Sequence, residues 1–282
     1  MTRPHHLLRF YLAHERAILG LAALLALLVC WEGLGRGWWA DLLSPLIGRA
    51  ADALRLKPIF VSSPSAVAAA AWSLFWVTGK IWPHLAASGL ELLIGLALSI
   101  LVGVPLGLVC GRYRLLSHAV APFVSALNAT PQVALLPLVV LWIGTGLGAR
   151  VFIIFLLTVL PLFINAHAAV RTTDPRLVTV ARSFAATEWF MFRSVIAPSA
   201  IPFLLAGLRL AIGRGMIGIV VGELYGGATG VGFMINRAGA LFETDVVFVG
   251  VFAIVAAGLV LTEGVRRIEI SVSAWRAPIE GA

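Results

Sequence analysis

Long stretches without a single Asp, Glu, Lys or Arg constrain this chain more than any other feature, among them residues 17–31, 92–111, 115–149, 151–170, 194–208 and 246–262. A run of about 20 mostly apolar residues is what a helix needs to cross the hydrocarbon core of a bilayer. The runs 92–111 and 151–170 meet that length as they stand, and 115–149 holds one helix with a flanking loop. The run 194–208 continues through Arg209 and Arg214 to Gly222, which predicts one helix of about 25 residues carrying two arginines within the membrane. The last run extends slightly past Asp245 or Glu263 to reach span length. The first is short enough for the apolar core of a signal peptide, and Leu27-Leu28-Val29-Cys30 approximates a lipoprotein cleavage site. Val29 is too large for the position before such a cysteine and no Ala-x-Ala site follows, so 17–31 is read as a membrane helix. The expectation is an all-α integral membrane protein with about six transmembrane helices.

Charge orients the helices. Charged residues make up 12% of the chain, against roughly 25% in a soluble domain. The formal charge is nevertheless +8, which on a soluble chain would suggest a nucleic-acid partner and on a membrane chain populates cytoplasmic loops. With both termini cytoplasmic, the inside segments hold twelve Lys and Arg in 64 residues and the outside segments seven in 82, as the positive-inside rule requires. Ser65 to Gly79 is apolar, alanine-rich and preceded by Ser62-Ser63-Pro64, a helix-start signal. It is read as an interfacial or extracytoplasmic helix, because a crossing there would place the basic segment Arg171 to Arg193 outside.

Several chemistries are excluded or unsupported. Cys30 and Cys110 fall at opposite ends of the first two helices, about 30 Å apart across the bilayer, too far to pair within the chain. A phosphate-binding loop needs Gly-x-x-x-x-Gly-Lys followed by Ser or Thr. Of the two lysines, Lys57 has no preceding glycine, and Gly79-Lys80 is followed by Ile81 with Leu74 at the first glycine position. ATP hydrolysis therefore belongs to another chain. His14-Glu15 opens like a zinc-protease helix, but Ile18 stands where the second ligand must be. His118 and His167 are isolated and are read as hydrogen-bonded structural residues. No cofactor, metal site or catalytic cluster is expected in this chain.

The informative segment is the inside loop between the fourth and fifth spans. Asp174 before Pro175 is an N-cap and first-turn pair, and Leu177, Val180, Ala181 and Phe184 follow at helical spacing. A second short helix carries Trp189, Phe190 and Phe192. Such a helix either lies on the membrane surface or docks a soluble partner.

Here the chain resembles the permeases of ABC importers. Thr179 to Pro198 falls in register with their cytoplasmic signature, Glu-Ala-Ala, three residues, Gly, nine residues, Ile-x-Leu-Pro; the corresponding residues are Thr179, Val180, Ala181, Ala185, Val195, Ala197 and Pro198. Ser63-Pro64-Ser65-Ala66-Val67, Leu127-Asn128-Ala129-Thr130-Pro131, the run Leu136 to Gly144, Asp174-Pro175-Arg176-Leu177, Ala206-Gly207-Leu208-Arg209-Leu210 and Gly230-Val231-Gly232-Phe233-Met234-Ile235 look like the nitrate, aliphatic-sulfonate and taurine branch. The resemblance implies a permease core over 84–270, preceded by a tail, first helix and extracytoplasmic segment over 1–83 and followed by a cytoplasmic tail over 271–282. It implies an inner-membrane homodimer with two ATPase subunits beneath, which hold ATP and Mg, and a solute-binding protein outside. The loop becomes the coupling helix, with Asp174, Pro175, Thr179, Ala181, Arg182 and Ala185 at the ATPase. Thr179 replaces the family's glutamate and Ala185 its glycine; Ala185 is expected to keep a right-handed helical conformation.

Polar groups within spans are costly and mark pathways. Asn128 and Gln132, four apart and so on one face of the third span, and Arg209 and Arg214 on the fifth are the candidate lining residues. Arg214 is also placed to pair with Glu91 or Glu223. The small-residue stripes Gly103, Gly107, Gly111 and Gly207, Ala211, Gly215, Gly218, Gly222 suit close helix packing. The glycine-rich stretch Gly222 to Asp245 is a re-entrant gate, a contact for the binding protein, or a plain connector. A secondary transporter or channel without an ATPase is the alternative, opposed by the want of an inverted repeat or a run of membrane carboxylates.

Overall fold

The computed structural model describes residues 5–47 and 58–272. Lys57, the extreme N-terminus 1–4 and nearly all of the 271–282 tail lie outside the described residues. The regular elements among the described residues are all helical, and contacts divide the chain into two compact units, Met1–Gly79 with Arg237–Val249, and Lys80–Asn236 with Gly250–Ala282.

In the first unit, α1 (His5–Arg36) is followed by α2 (Trp38–Ile47), α3 (Pro58–Val61) and α4 (Pro64–Trp72), which continues as a π-turn over Ser73–Val77. Ser63 caps α4 through its hydroxyl, and Pro64 occupies the first turn, where its missing amide is no loss. The 14 residues of Pro64–Val77 extend about 21 Å at 1.5 Å per residue, short of a 30 Å hydrocarbon core. Glu32 of α1 accepts both the amide and hydroxyl of Ser65 at 3.0 and 2.6 Å, and pairs with Arg36 at 2.5 Å.

The second unit is built on α5 (Ile81–Arg112), α8 (Leu147–Arg171) and α11 (Ala197–Gly226). α8 packs along both of the others and buries over half of its apolar stretch. The seam between α5 and α8 is made by glycine. A Cβ at Gly103 would stand 2.8 Å from the Val159 carbonyl, and one at Gly107 would stand 2.5 Å from the Phe163 carbonyl and 2.7 Å from the Ala166 Cβ. Gly215 and Gly218 make similar approaches from α11 to Leu92, Thr158 and Ile154. Around them Leu92, Leu96, Ile154, Leu162, Ile212 and Ile219 form a buried apolar cluster. At its centre the fully buried Ser99 and Thr158 hydroxyls bond across the helices at 2.6 Å, a contact worth about 0.6 to 2 kcal/mol in membranes. α13 (Thr244–Val272) contributes Val265 to the same cluster.

Five stretches are long and apolar enough to span a membrane: Ile18–Arg36, Ile81–Arg112, Leu147–Arg171, Glu188–Gly226 and Thr244–Val272. The third expected span meets the same test only as a bent pair of helices, which brings the candidate spans to six. α6 (Arg114–Ala129) stops at Thr130, a 3-10 turn runs over Gln132–Leu135, and α7 (Leu136–Ile143) leaves at 87° to α6. Pro131 has no amide to continue the ladder and pushes Thr130 to an extended conformation, φ −74°, ψ 134°. Asn128 and Gln132 therefore do not share a helix face. Asn128 is exposed on α6, whereas Gln132 is buried in the turn with its Nε2 lacking a partner.

Candidate functional site

At one end of the bundle, α8 turns into α9 (Pro175–Ser183), then α10 (Glu188–Met191) and a π-turn, Phe192–Ile196, that leads without interruption into α11. Asp174 Oδ1 accepts the Arg176 amide at 2.8 Å and Pro175 takes the first helical position. Thr179 is exposed and donates its hydroxyl back to the Pro175 carbonyl at 2.9 Å. Ala185 overturns the expectation of right-handed backbone: its φ is +51°. The Ala186 amide reaches the Ala181 carbonyl and the Ala185 amide the Arg182 carbonyl, at 3.1 and 2.9 Å. This is the Schellman closure, whose C′ residue must be left-handed and is usually glycine.

The closure brings α9 and α10 together around an apolar groove of about 830 Å³ lined by Leu177, Val180, Ala181, Phe184, Phe190 and Pro198. Phe184, Trp189 and Phe190 are 82%, 70% and 57% exposed. Arg182 turns to the other side, into a small cleft with Arg112, Thr173 and Met191. The segment is anchored by an ion pair between Arg112 at the end of α5 and Glu188, and by contact between the Thr173 and Ser199 hydroxyls at 3.3 Å.

Of the two arginines in α11, Arg209 is paired with Glu269 of α13. Arg214 is exposed and has no side-chain partner among the described residues. It does not pair with Glu91 or Glu223. Glu91, 2% exposed and nearly three turns into α5, takes Arg150 of α8 instead at 2.5 Å.

A polar cluster at the far end of the bundle escaped sequence reasoning. His84, Ser88 and Glu91 of α5 meet Arg150 of α8, Glu223 of α11 and the start of α12 (Val231–Ala240). Ser88 donates to Glu223 Oε1 at 2.5 Å, and Arg150 also donates to the Thr229 carbonyl at 3.3 Å. The signal for it was the spacing of 84, 88 and 91, which places the three on one helical face. The glycine-rich stretch after α11 thus turns back on the bundle as a capped helix.

A polytopic helical bundle with an exposed arginine, Arg214, on one of its apolar helices and an apolar groove at the start of that helix suits a membrane permease. The chain belongs to the binding-protein-dependent transport system inner membrane component family, whose profile matches residues 103–269. It is 28% identical over 247 residues to the taurine transport system permease protein TauC of Escherichia coli, covering 86% of each chain. It is 33% identical over 221 residues to the riboflavin transport system permease protein RibX of Chloroflexus aurantiacus, covering 78% of this chain and 82% of that one. It is 31% identical over 205 residues to a putative aliphatic sulfonates transport permease protein, SsuC, of Bacillus subtilis, covering 73% and 74%. Among solved structures, an inward-facing form of the MetNI methionine ABC transporter matches with a TM-score of 0.59 at 18% identity, over 71% of this chain and 97% of that one. The chain is a transmembrane permease subunit of an ABC importer, which sets aside the gradient-driven transporter and the channel.

Proposed function

We propose that this subunit moves a small anionic solute of the sulfonate type across the inner membrane, as one half of a homodimer with cytoplasmic termini. The observation that carries the solute class is Arg214. A guanidinium in the middle of a 30-residue helix, exposed and with no side-chain partner among the described residues, calls for water or an anion beside it. The exposed face it occupies, with Leu210, Gly213 and Ile217, is therefore the lining of the passage. Asn128 stands exposed on α6 as a second lining candidate, while Arg209 is engaged by Glu269 and serves the bundle. The names of the taurine and sulfonate relatives agree with an anionic group; the riboflavin relative shows that the family is not limited to one.

The α9 segment, with Asp174, Pro175, Thr179, Ala181, Arg182 and Ala185, is the docking element for an ATPase subunit that binds ATP and Mg, and an extracytoplasmic binding protein delivers the solute. In the transporter reconstituted with these partners, Arg214→Gln should lower uptake of a sulfonate about tenfold or more by removing electrostatic attraction, with ATP hydrolysis retained. Uptake unchanged in a folded variant would remove the anion assignment while leaving the permease class intact.

A further inference from the structure

A helix leaves its first backbone amides without partners. In α12 three successive ones are taken by side chains of other helices: Gly230 N–H donates to His84 Nδ1 at 3.1 Å, Val231 N–H to Ser88 Oγ at 2.9 Å, and Gly232 N–H to Glu223 Oε2 at 2.5 Å. The Glu223 carboxylate also stands at the positive end of the α12 dipole. The fit leaves no space. Gly230 has φ +117° and a Cβ there would overlap the Glu223 carboxylate, while a Cβ at Gly232 would stand 2.8 Å from the Val220 carbonyl.

Beside this clasp two buried atoms have no partner, Glu91 Oε2 and Arg150 Nε. Unsatisfied atoms next to a satisfied network call for an explanation, and a second arrangement that uses them is one. Arg150 holds the Thr229 carbonyl at 3.3 Å and packs against Gly222, the residue before Glu223, where a Cβ would stand 3.7 Å from the Arg150 Cγ. Were α12 to leave, Arg150 would keep Glu91 but lose Thr229, and Glu223 would lose the Gly232 amide, so that the unpartnered Arg150 Nε and a released Glu223 oxygen become available together. Glu223 lies 26 residues along α11 from Ala197, about 39 Å from the α9 end of the bundle.

We propose that Glu223 is a positioning residue with two alternative partners, the α12 amide and Ser88 when α12 is seated and Arg150 when it is lifted, which makes α12 the moving gate of the passage at the end remote from α9. Rigid helices that exchange one discrete set of contacts for another are how such bundles switch. The inference is independent of which solute is carried.

Two variants should act in opposite directions in the complete transporter, permease with ATPase, in nanodiscs. Ser88→Ala removes a contact of the seated state only and should raise solute-independent ATP hydrolysis several-fold. Glu223→Gln still accepts from Gly232 but cannot form the ion pair with Arg150, so solute-stimulated turnover should fall about tenfold, a shift of about 1.4 kcal/mol, at unchanged KM. A purely structural cluster would depress both rates alongside thermal stability. Independently, Val231, 0% exposed, replaced by cysteine in a Cys30→Ser background should resist a membrane-impermeant maleimide without nucleotide and react when ATP and vanadate trap the cycle. Equal labelling in both conditions, or rates of the two variants that move together, would overturn the gate. ATP hydrolysis by the unmodified complex reports the ATPase partnership separately.

Discussion

Ala185 holds a left-handed conformation, φ +51°, that costs a residue with a Cβ about 1 to 2 kcal/mol relative to glycine. The cost is borne because the alternative leaves the last carbonyls of α9 open and the chain aimed away from α10. Ala185→Gly should therefore stabilise the protein by about 1 kcal/mol, read as a higher denaturation midpoint in detergent, with the groove unchanged. A neutral or destabilising result would show that the closure is not formed. Nothing in the sequence around Ala185 marks the conformation, since a left-handed alanine is uncommon; only alignment with a family glycine points to it, and the alanine itself argued the other way. Thr179 is the converse case. Its hydroxyl is consumed by its own helix at Pro175, so the substitution of a family glutamate leaves no unpaired group behind.

Helices 5, 8 and 11 were legible because their signals are long: uncharged runs bounded by single charges, and glycines at four-residue spacing that demand a close neighbour. Gly107 is the tightest of these in the α5 and α8 seam, with backbone on one side and a methyl on the other. Gly107→Val should separate the helices, costing about 3 kcal/mol or more, visible as lost yield or a lowered melting temperature. Gly89, around whose Cβ position lies open space, is the control, and equal effects at both sites would refute glycine packing as the basis of the seam. The third span was not legible as drawn. Its uncharged run is long enough for a helix and its Pro122, Pro131 and Pro137 do not say which one breaks it; the break falls where Pro131 meets the capped end of α6, with the Thr130 hydroxyl on the Ala126 carbonyl at 2.9 Å. The polar cluster was missed for a different reason. Its members are 84, 88, 91, 150, 223 and 230 to 232, and only the first three share a periodicity that sequence can display; the rest converge through tertiary packing.

At the scale of the whole molecule, α11 is the continuous element. It begins at the π-turn bordering the α9 and α10 groove and ends at the residues that clasp α12, a run of 30 residues and about 45 Å. A displacement at the groove thus has a rigid path to the far end of the bundle, which is what an importer driven from below requires. The groove's exposed aromatic groups are where the proposed ATPase contact would act on that helix. Phe184 is 82% exposed and lines the groove, so it adds little to the stability of the subunit alone and is open to the proposed ATPase contact. Phe184→Asp should leave expression and melting temperature within about 0.5 kcal/mol of the parent while weakening association with the ATPase by at least about 1.4 kcal/mol, a tenfold change. Titration of purified ATPase against the detergent-solubilised permease measures it. Unchanged affinity in a folded variant would move the docking site away from the α9 groove, and with it the origin of the force that α11 transmits.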